Sequence, residues 1–251
     1  MSEILKTTPN FYCGTSNVVL PVPNKGHFPP EYQDRSRLCY YASLFNTVEI
    51  NSTFYKIPMP RTVEKWATEV PDEFRFTFKL WGGITHAKEL SYDEAGINKF
   101  MSAINMAGDK KGCLLVQFPA SIKISYFHKL KSLLGGLQAA GAAEEWKLAI
   151  EFRDRSWYRD DVYELLEQYS AAVVIHDMPN SITPLISMEA DFVYMRFHGE
   201  RGDYRGSYTD DLLQEQAAYI KDYLDEGKSV YVYFNNTMGE AVHNAAALNN
   251  F

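Results

Sequence analysis

The sequence predicts an α/β fold, a parallel (β/α)8 TIM-like barrel, and three observations lead there. Short apolar segments rich in β-branched and aromatic residues recur eight times, with helical spacing between them. A length of 251 residues suits one barrel domain, expected to span 1–251. Polar residues gather at the same end of successive strands, where barrels place their active sites.

The strands are expected at 11–15, 46–51, 75–80, 112–118, 147–153, 171–176, 192–198 and 230–235. Helices are expected near 31–44, 61–69, 91–107, 124–140, 159–169, 209–226 and 239–249. Thr209 before acidic residues, and Ser91 with Asp93 and Glu94, read as helix starts. Gly227 after YLDE reads as a stop. The segment 16–30, with Pro21, Pro23, Pro29 and Pro30, is an irregular loop after the first strand. Two prolines and little helical periodicity in 177–191 predict that the sixth helix is degenerate. A doubly wound open sheet is the competing architecture.

Hydrophobic residues make up 46% of the chain and aromatics 14%, enough for a sizeable core and too many for a disordered chain. The formal charge of -7 gives no global attraction for nucleic acid or an anionic membrane, although a local basic cleft is compatible with it. Three widely spaced cysteines, Cys13, Cys39 and Cys113, match neither a disulfide framework nor a CxxC zinc site and suit a reducing compartment. The first ten residues hold no apolar signal core, and no run approaches the ~18 apolar residues of a membrane span. A cytoplasmic protein with no membrane partner is the expectation; the sequence sets no oligomeric state.

Alternation along a strand puts Lys147, Ala149, Glu151 and Arg153 on one face of a segment that should be buried. A buried charge must be paired or used. The same end of other strands carries Glu49, Asn51 and Thr53, then Thr77 and Lys79, then Gln117. It continues with His176 and Asp177, Arg196 and His198, and finally Asn235 and Asn236. A structural barrel interior favours branched apolar side chains, so this set reads as a polar mouth. The alternative is an ion network that closes the barrel, Glu49 with Lys79 and Glu151 with Arg196. Trp81 and Trp157 each follow a strand at the mouth end, as a ligand wall or as a lid.

No nucleophile elbow, P-loop or dinucleotide fingerprint is present. GGITH at 82–86 is a weak phosphate signal. Glu49, Glu151, Asp177 and His198 could supply metal ligands, but no short spacing supports it and the nearby Lys and Arg oppose a cation. No metal and no cofactor is expected.

The blocks FNTVEINSTFYKIP (45–58), LLVQFPASI (114–122), LAIEFRDRSWY (148–158), VYMRFHGERGDYRGSYTDDLL (193–213) and VYVYFNNTMGEAVHNA (230–245) resemble the DUF72, or YecE-like, family. The resemblance spans nearly the whole chain, and VEINSTFY is its most specific part. It implies a TIM-barrel-like fold and leaves the activity open. It brings with it Glu49, Asn51, Thr53, Lys79, Thr85, His86, Gln117, Glu151, Arg153, Ser156, Trp157, Arg196, His198, Gly199, Asn235 and Asn236. The chain departs from the family pattern after the first GTS, where it reads NVVLPVPNKG, and at FRDRSW, where relatives often have FRHPSW.

The leading expectation is an enzyme acting by acid/base chemistry on a small anionic metabolite such as a sugar or sugar phosphate. Glu49, Glu151 and His198 are the candidate catalytic groups. Asn51, Lys79, Gln117, Arg153, Trp157, Arg196 and Asn235 are the candidate substrate-binding residues, the cations matching an oxyanion. Hydrolase, lyase and isomerase classes stay open. The alternatives are a non-catalytic protein that binds an anionic metabolite or nucleic-acid end, and a metal-dependent phosphodiesterase or nuclease.

Overall fold

Every strand among the described residues runs parallel to its hydrogen-bonded neighbours. The computed structural model describes residues 8–142, 146–184 and 189–251. The strands are β1 (Phe11–Thr15), β2 (Thr47–Ile50), β3 (Arg75–Lys79), β4 (Lys111–Phe118), β5 (Lys147–Phe152), β6 (Ala171–Val173), β7 (Ile175–His176), β8 (Phe192–Phe197) and β9 (Ser229–Phe234). They pair in the orders β1-β9-β8-β7 and β2-β3-β4-β5-β6.

The two sheets curve into a TIM-like arrangement because one stretch of chain serves both. The predicted sixth strand, 171–176, is split: β6 pairs with β5 and β7 pairs with β8. Between them Val174 N donates to Ile150 O at 2.9 Å. The opposite seam has no continuous ladder. There β1 meets β2 through an isolated bridge, Ser16 with Glu49, and through Asn17 N donating to Glu49 O at 2.7 Å. Tyr41 inserts its hydroxyl into this seam, accepting from Thr15 N at 2.7 Å and donating to Thr47 O at 3.2 Å. Gly14 makes the approach possible, since a Cβ there would lie 2.3 Å from Thr47 O.

The helices fall close to their predicted places. The principal ones are Arg37–Leu44, Pro60–Thr68, Glu94–Ile104, Phe127–Ala139, Asp160–Gln168, Asp210–Asp225 and Ala241–Leu248. Thr209 caps its helix through Leu212 N, and Asp93 caps the helix at 94 through Ala95 N. Gly227 stops the chain in the left-handed region at φ +82. The expected helix at 31–44 begins only at Arg37, because Ser36 caps it and Pro30–Tyr32 forms a separate 3-10 turn. In the connection 177–191, the described residues 177–184 and 189–191 form no helix, and 185–188 lie outside the described residues.

Alternation along the strands divides the interior in two. Outward side chains such as Phe76, Phe78, Val116, Ile150 and Val232 join the helices in the main apolar cluster. Inward side chains at the amino-terminal end, including Leu115, Ala149, Val174, Tyr194 and Tyr233, form a second cluster inside the ring of strands. At the carboxyl ends the inward positions are polar, Gln117 on β4 and the charged Glu49, Glu151 and Arg196 on β2, β5 and β8.

Candidate functional site

Arg196, projecting inward from β8, is the centre of the charged layer. Its Nη2 donates to Glu49 at 2.8 Å and its Nη1 to Glu151 at 2.6 Å, tying β2 and β5 to β8 across the interior. Glu49 also accepts from Ser16 Oγ at 2.6 Å and from Tyr194 OH at 2.5 Å. Glu151 accepts from Arg153 Nε as well. Both carboxyls are fully buried. Burial alone would raise their pKa values. For Glu49, Arg196, Ser16 and Tyr194 outweigh it and hold the carboxyl below the usual range. For Glu151, Arg153 and Arg196 outweigh it by more and hold the carboxyl well below.

His198 sits one residue beyond β8 with no exposed surface. Its Nε2 lies 3.0 Å from Arg153 Nη2 and 3.3 Å from Arg196 Nη1. A guanidinium only donates, so Nε2 carries the lone pair and Nδ1 the proton. That proton points to Asp177 Oδ1 at 3.0 Å, and Asp177 is held in turn by Tyr208 OH. Burial and then Arg196 push the imidazole down to about 4, against the pull of Asp177. His198 is a neutral acceptor that braces two arginines.

In front of this layer lies a cavity of about 380 Å³. Asn17, Asn51, Phe54, Tyr55, Lys79, His86, Gln117, Arg153, Arg196, Tyr204 and Asn235 line it. The Lys, Arg, Asp and Glu side chains among them, Lys79, Arg153 and Arg196, are all basic. Lys79 ends β3 with its Nζ 4.5 Å from the centre of the Phe54 ring. Desolvation, with Arg196 nearby, lowers its pKa to about 8. His86 stands exposed at the mouth, edge-on to Phe54, and desolvation followed by Lys79 and Arg153 lowers it to about 4. Solvent at the mouth screens the charge part of that effect.

The structure thus brings six of the expected binding residues to one cavity: Asn51, Lys79, Gln117, Arg153, Arg196 and Asn235. Glu49, Glu151 and His198 sit behind its wall, among the buried residues. Trp157 is elsewhere, buried against Phe152 with ring centres 4.7 Å apart and donating to Ile122 O at 2.7 Å. Trp81 is half-buried and packs on Gly83 and Gly96. Of the alternative ion network, the Glu151–Arg196 pair is present, and Glu49 pairs with Arg196 in place of Lys79. Among the described residues, no group of three or more His, Cys, Asp and Glu is placed to hold a metal.

Four lining residues, Asn17, Phe54, Tyr55 and Tyr204, were outside the sequence reading of the site. Tyr204 comes from the loop after His198, where Gly199, Gly202 and Gly206 take positive φ and Tyr204 itself has φ +66. At Gly199 a Cβ would fall 2.3 Å from Arg205 O, so only glycine permits this fold-back. The glycine spacing in HGERGDYRGSY was the available signal.

Fold and site together define a parallel β/α barrel protein with a cationic pocket at the carboxyl ends of its strands. Residues 14–251 match the family described as protein of unknown function DUF72, and the chain belongs to that family. It is 27% identical to UPF0759 protein YunF of Bacillus subtilis, over 84% of each chain. A shorter stretch, 32% of this chain and 30% of the other, is 33% identical to UPF0759 protein YecE of Escherichia coli K12. A DUF72 family protein of Enterococcus faecalis superposes with TM-score 0.78 at 23% identity, covering 96% of this chain and 94% of that one. One from Thermotoga maritima gives 0.73 at 26% identity, over 96% and 98%. No helix among the described residues is long and apolar enough to cross a membrane.

Proposed function

We propose that the cavity binds the oxyanion of a small polar metabolite, a phosphate or carboxylate of sugar-like size, and that the protein is an enzyme acting on it by proton transfer. One observation carries the reading. The charges lining the cavity are Lys79, Arg153 and Arg196, while their counter-carboxylates Glu49 and Glu151 are buried behind them. An arginine already anchored by a carboxylate is pre-oriented, so little side-chain entropy is lost when it meets an anion. The amides of Asn51, Gln117 and Asn235 add neutral partners for hydroxyl groups.

This reading moves the acid/base work forward in the cavity. Glu49 and Glu151 are ionised by their arginines and His198 has its lone pair engaged, so these three position the arginines. Lys79 is the titratable group in contact with the cavity whose proton affinity is lowered towards the working range, and His86, lowered to about 4, stands beside it as a neutral imidazole. The burial of the three rear groups also favours a second reading, a binding protein without turnover.

Titration calorimetry with phosphate and a panel of sugar phosphates tests the first half. Micromolar to millimolar 1:1 binding is expected, weakened at least tenfold in Arg196→Lys and unchanged in the surface control Lys221→Ala. Incubation of bound sugar phosphates in deuterated water tests the second half. Deuterium entering a carbon position supports the enzyme, and tight binding without exchange or turnover supports the binding protein.

A further inference from the structure

We propose that Lys79 is a reacting amine: its Nζ condenses with an aldehyde or ketone that also carries an oxyanion, forming an imine inside the cavity. The proposal rests on the anion-binding reading above and adds a substrate class, carbonyl compounds bearing phosphate or carboxylate.

The geometry separates Lys79 from an ordinary anion-binding lysine. Arg153 and Arg196 each have a buried carboxylate partner, whereas among the described residues Nζ of Lys79 has none. Its neighbours in the cavity are the two guanidiniums, the Phe54 ring face and neutral amides. An amine in that setting, poorly solvated and beside other cations, is the standard arrangement for raising the fraction of free amine. The Phe54 face opposes this by attracting the ammonium, and so do the Glu151 and Glu49 carboxylates behind the guanidiniums. Desolvation and the guanidiniums prevail, and with a pKa of about 8 roughly a quarter of Lys79 is unprotonated at pH 7.5, against about one in a thousand for an ordinary lysine. The strand end beneath it is fixed, because Thr53 Oγ1 donates to the Lys79 carbonyl at 2.7 Å. The guanidiniums would take the oxyanion and leave the carbonyl carbon facing Nζ.

The step balances without a redox partner. The Nζ lone pair forms the C–N bond as the C=O π electrons pass to oxygen. That oxygen is protonated and leaves as water while Nζ loses its protons to solvent or to His86, which lines the same cavity. Amine and carbonyl give imine and water.

The test uses the intact protein with glycolaldehyde phosphate and sodium cyanoborohydride, which reduces any imine to a stable secondary amine, followed by peptide mass mapping. Lys79 is expected to be labelled at least tenfold faster than the exposed helix residue Lys221, and inorganic phosphate should suppress that excess. Glycolaldehyde without phosphate should still label Lys79 faster than Lys221, but by a smaller factor than the phosphorylated aldehyde does. Equal labelling of Lys79 and Lys221, in protein that binds phosphate by calorimetry, overturns the imine and leaves the anion site standing. Rapid labelling of Lys79 that phosphate does not suppress, in protein that does not bind phosphate, overturns the anion site instead. Because the map is read on the unaltered chain, the outcome does not depend on a Lys79 variant folding.

Discussion

The two ends of the space inside the ring of strands are built from the same strands at the same parity, and they differ in nearly every other respect. At the amino-terminal end β4, β5 and β8 contribute Leu115, Ala149 and Tyr194. One inward position further along, the same strands contribute Gln117, Glu151 and Arg196. The lower layer carries no charge of its own: Tyr233 OH lies 2.7 Å from both Thr47 Oγ1 and Thr77 Oγ1, and only Tyr194 OH reaches up to the Glu49 carboxylate. The upper layer desolvates two carboxylates and a guanidinium, and recovers that cost only while every partner is present. The lower layer closes the fold, and the upper one sets the positions of charges at the expense of stability.

The largest expected effect comes from unpairing the upper layer. Glu151→Ala leaves Arg196 and Arg153 without their shared carboxylate and should cost about 3–5 kcal/mol in chemical denaturation. A loss below about 1 kcal/mol would mean that the charged layer is solvated and the two ends are not so different.

Acid should find the same weakness. With its pKa held at about 4 when folded and near 6.5 when unfolded, His198 makes the unfolded chain bind the extra proton between those values. Stability therefore falls as pH drops from 6.5 to 4, by about 3 kcal/mol from this residue alone. The depressed carboxyls of Glu49 and Glu151 add to the loss below about 4.5, where the unfolded chain takes up their protons first. Thermal melts from pH 8 to 4 read the slope, and His198→Gln should flatten its upper part. A smaller change is expected at the other end. Tyr233→Phe takes the tyrosine partner from the buried Thr77 and Thr47 hydroxyls, of which Thr47 keeps its bond to Arg75 O, and should cost about 1–3 kcal/mol, with no change in phosphate binding.

This contrast also explains what could be read from the sequence. Parity along 147–153 and 192–198 placed Glu151, Arg153, Arg196 and His198 on the inner face correctly, because a strand allows only two sides. Parity says nothing of depth. Glu49 and Glu151 therefore looked like cavity groups, when Arg196 stands between them and the opening. Trp157 followed the right strand end but turned outward, since its indole found Phe152 and a carbonyl at Ile122. Phe54 comes from a one-turn helix, Ser52–Tyr55, and Asn17 and Tyr204 come from loops, whose path depends on contacts remote in sequence, such as Met238 N donating to Tyr204 O at 3.0 Å. The strand pattern is local and periodic and could be read directly. The split of 171–176 between two partners could not, because no turn residue in AAVVIH marks the break.

Proton-linked phosphate binding is the most direct test of the central claim, that a cationic cavity stands in front of its buried counter-charges. A bound anion stabilises the charged form of Lys79, whose pKa is lowered to about 8 in the free protein. Calorimetry at pH 8 in buffers of different ionisation enthalpy should therefore show 1:1 phosphate binding with net proton uptake, since phosphate is already mostly the dianion there and has few protons to release, and Lys79→Met should remove that uptake. Absence of phosphate binding at any pH, or proton release in its place, would contradict it.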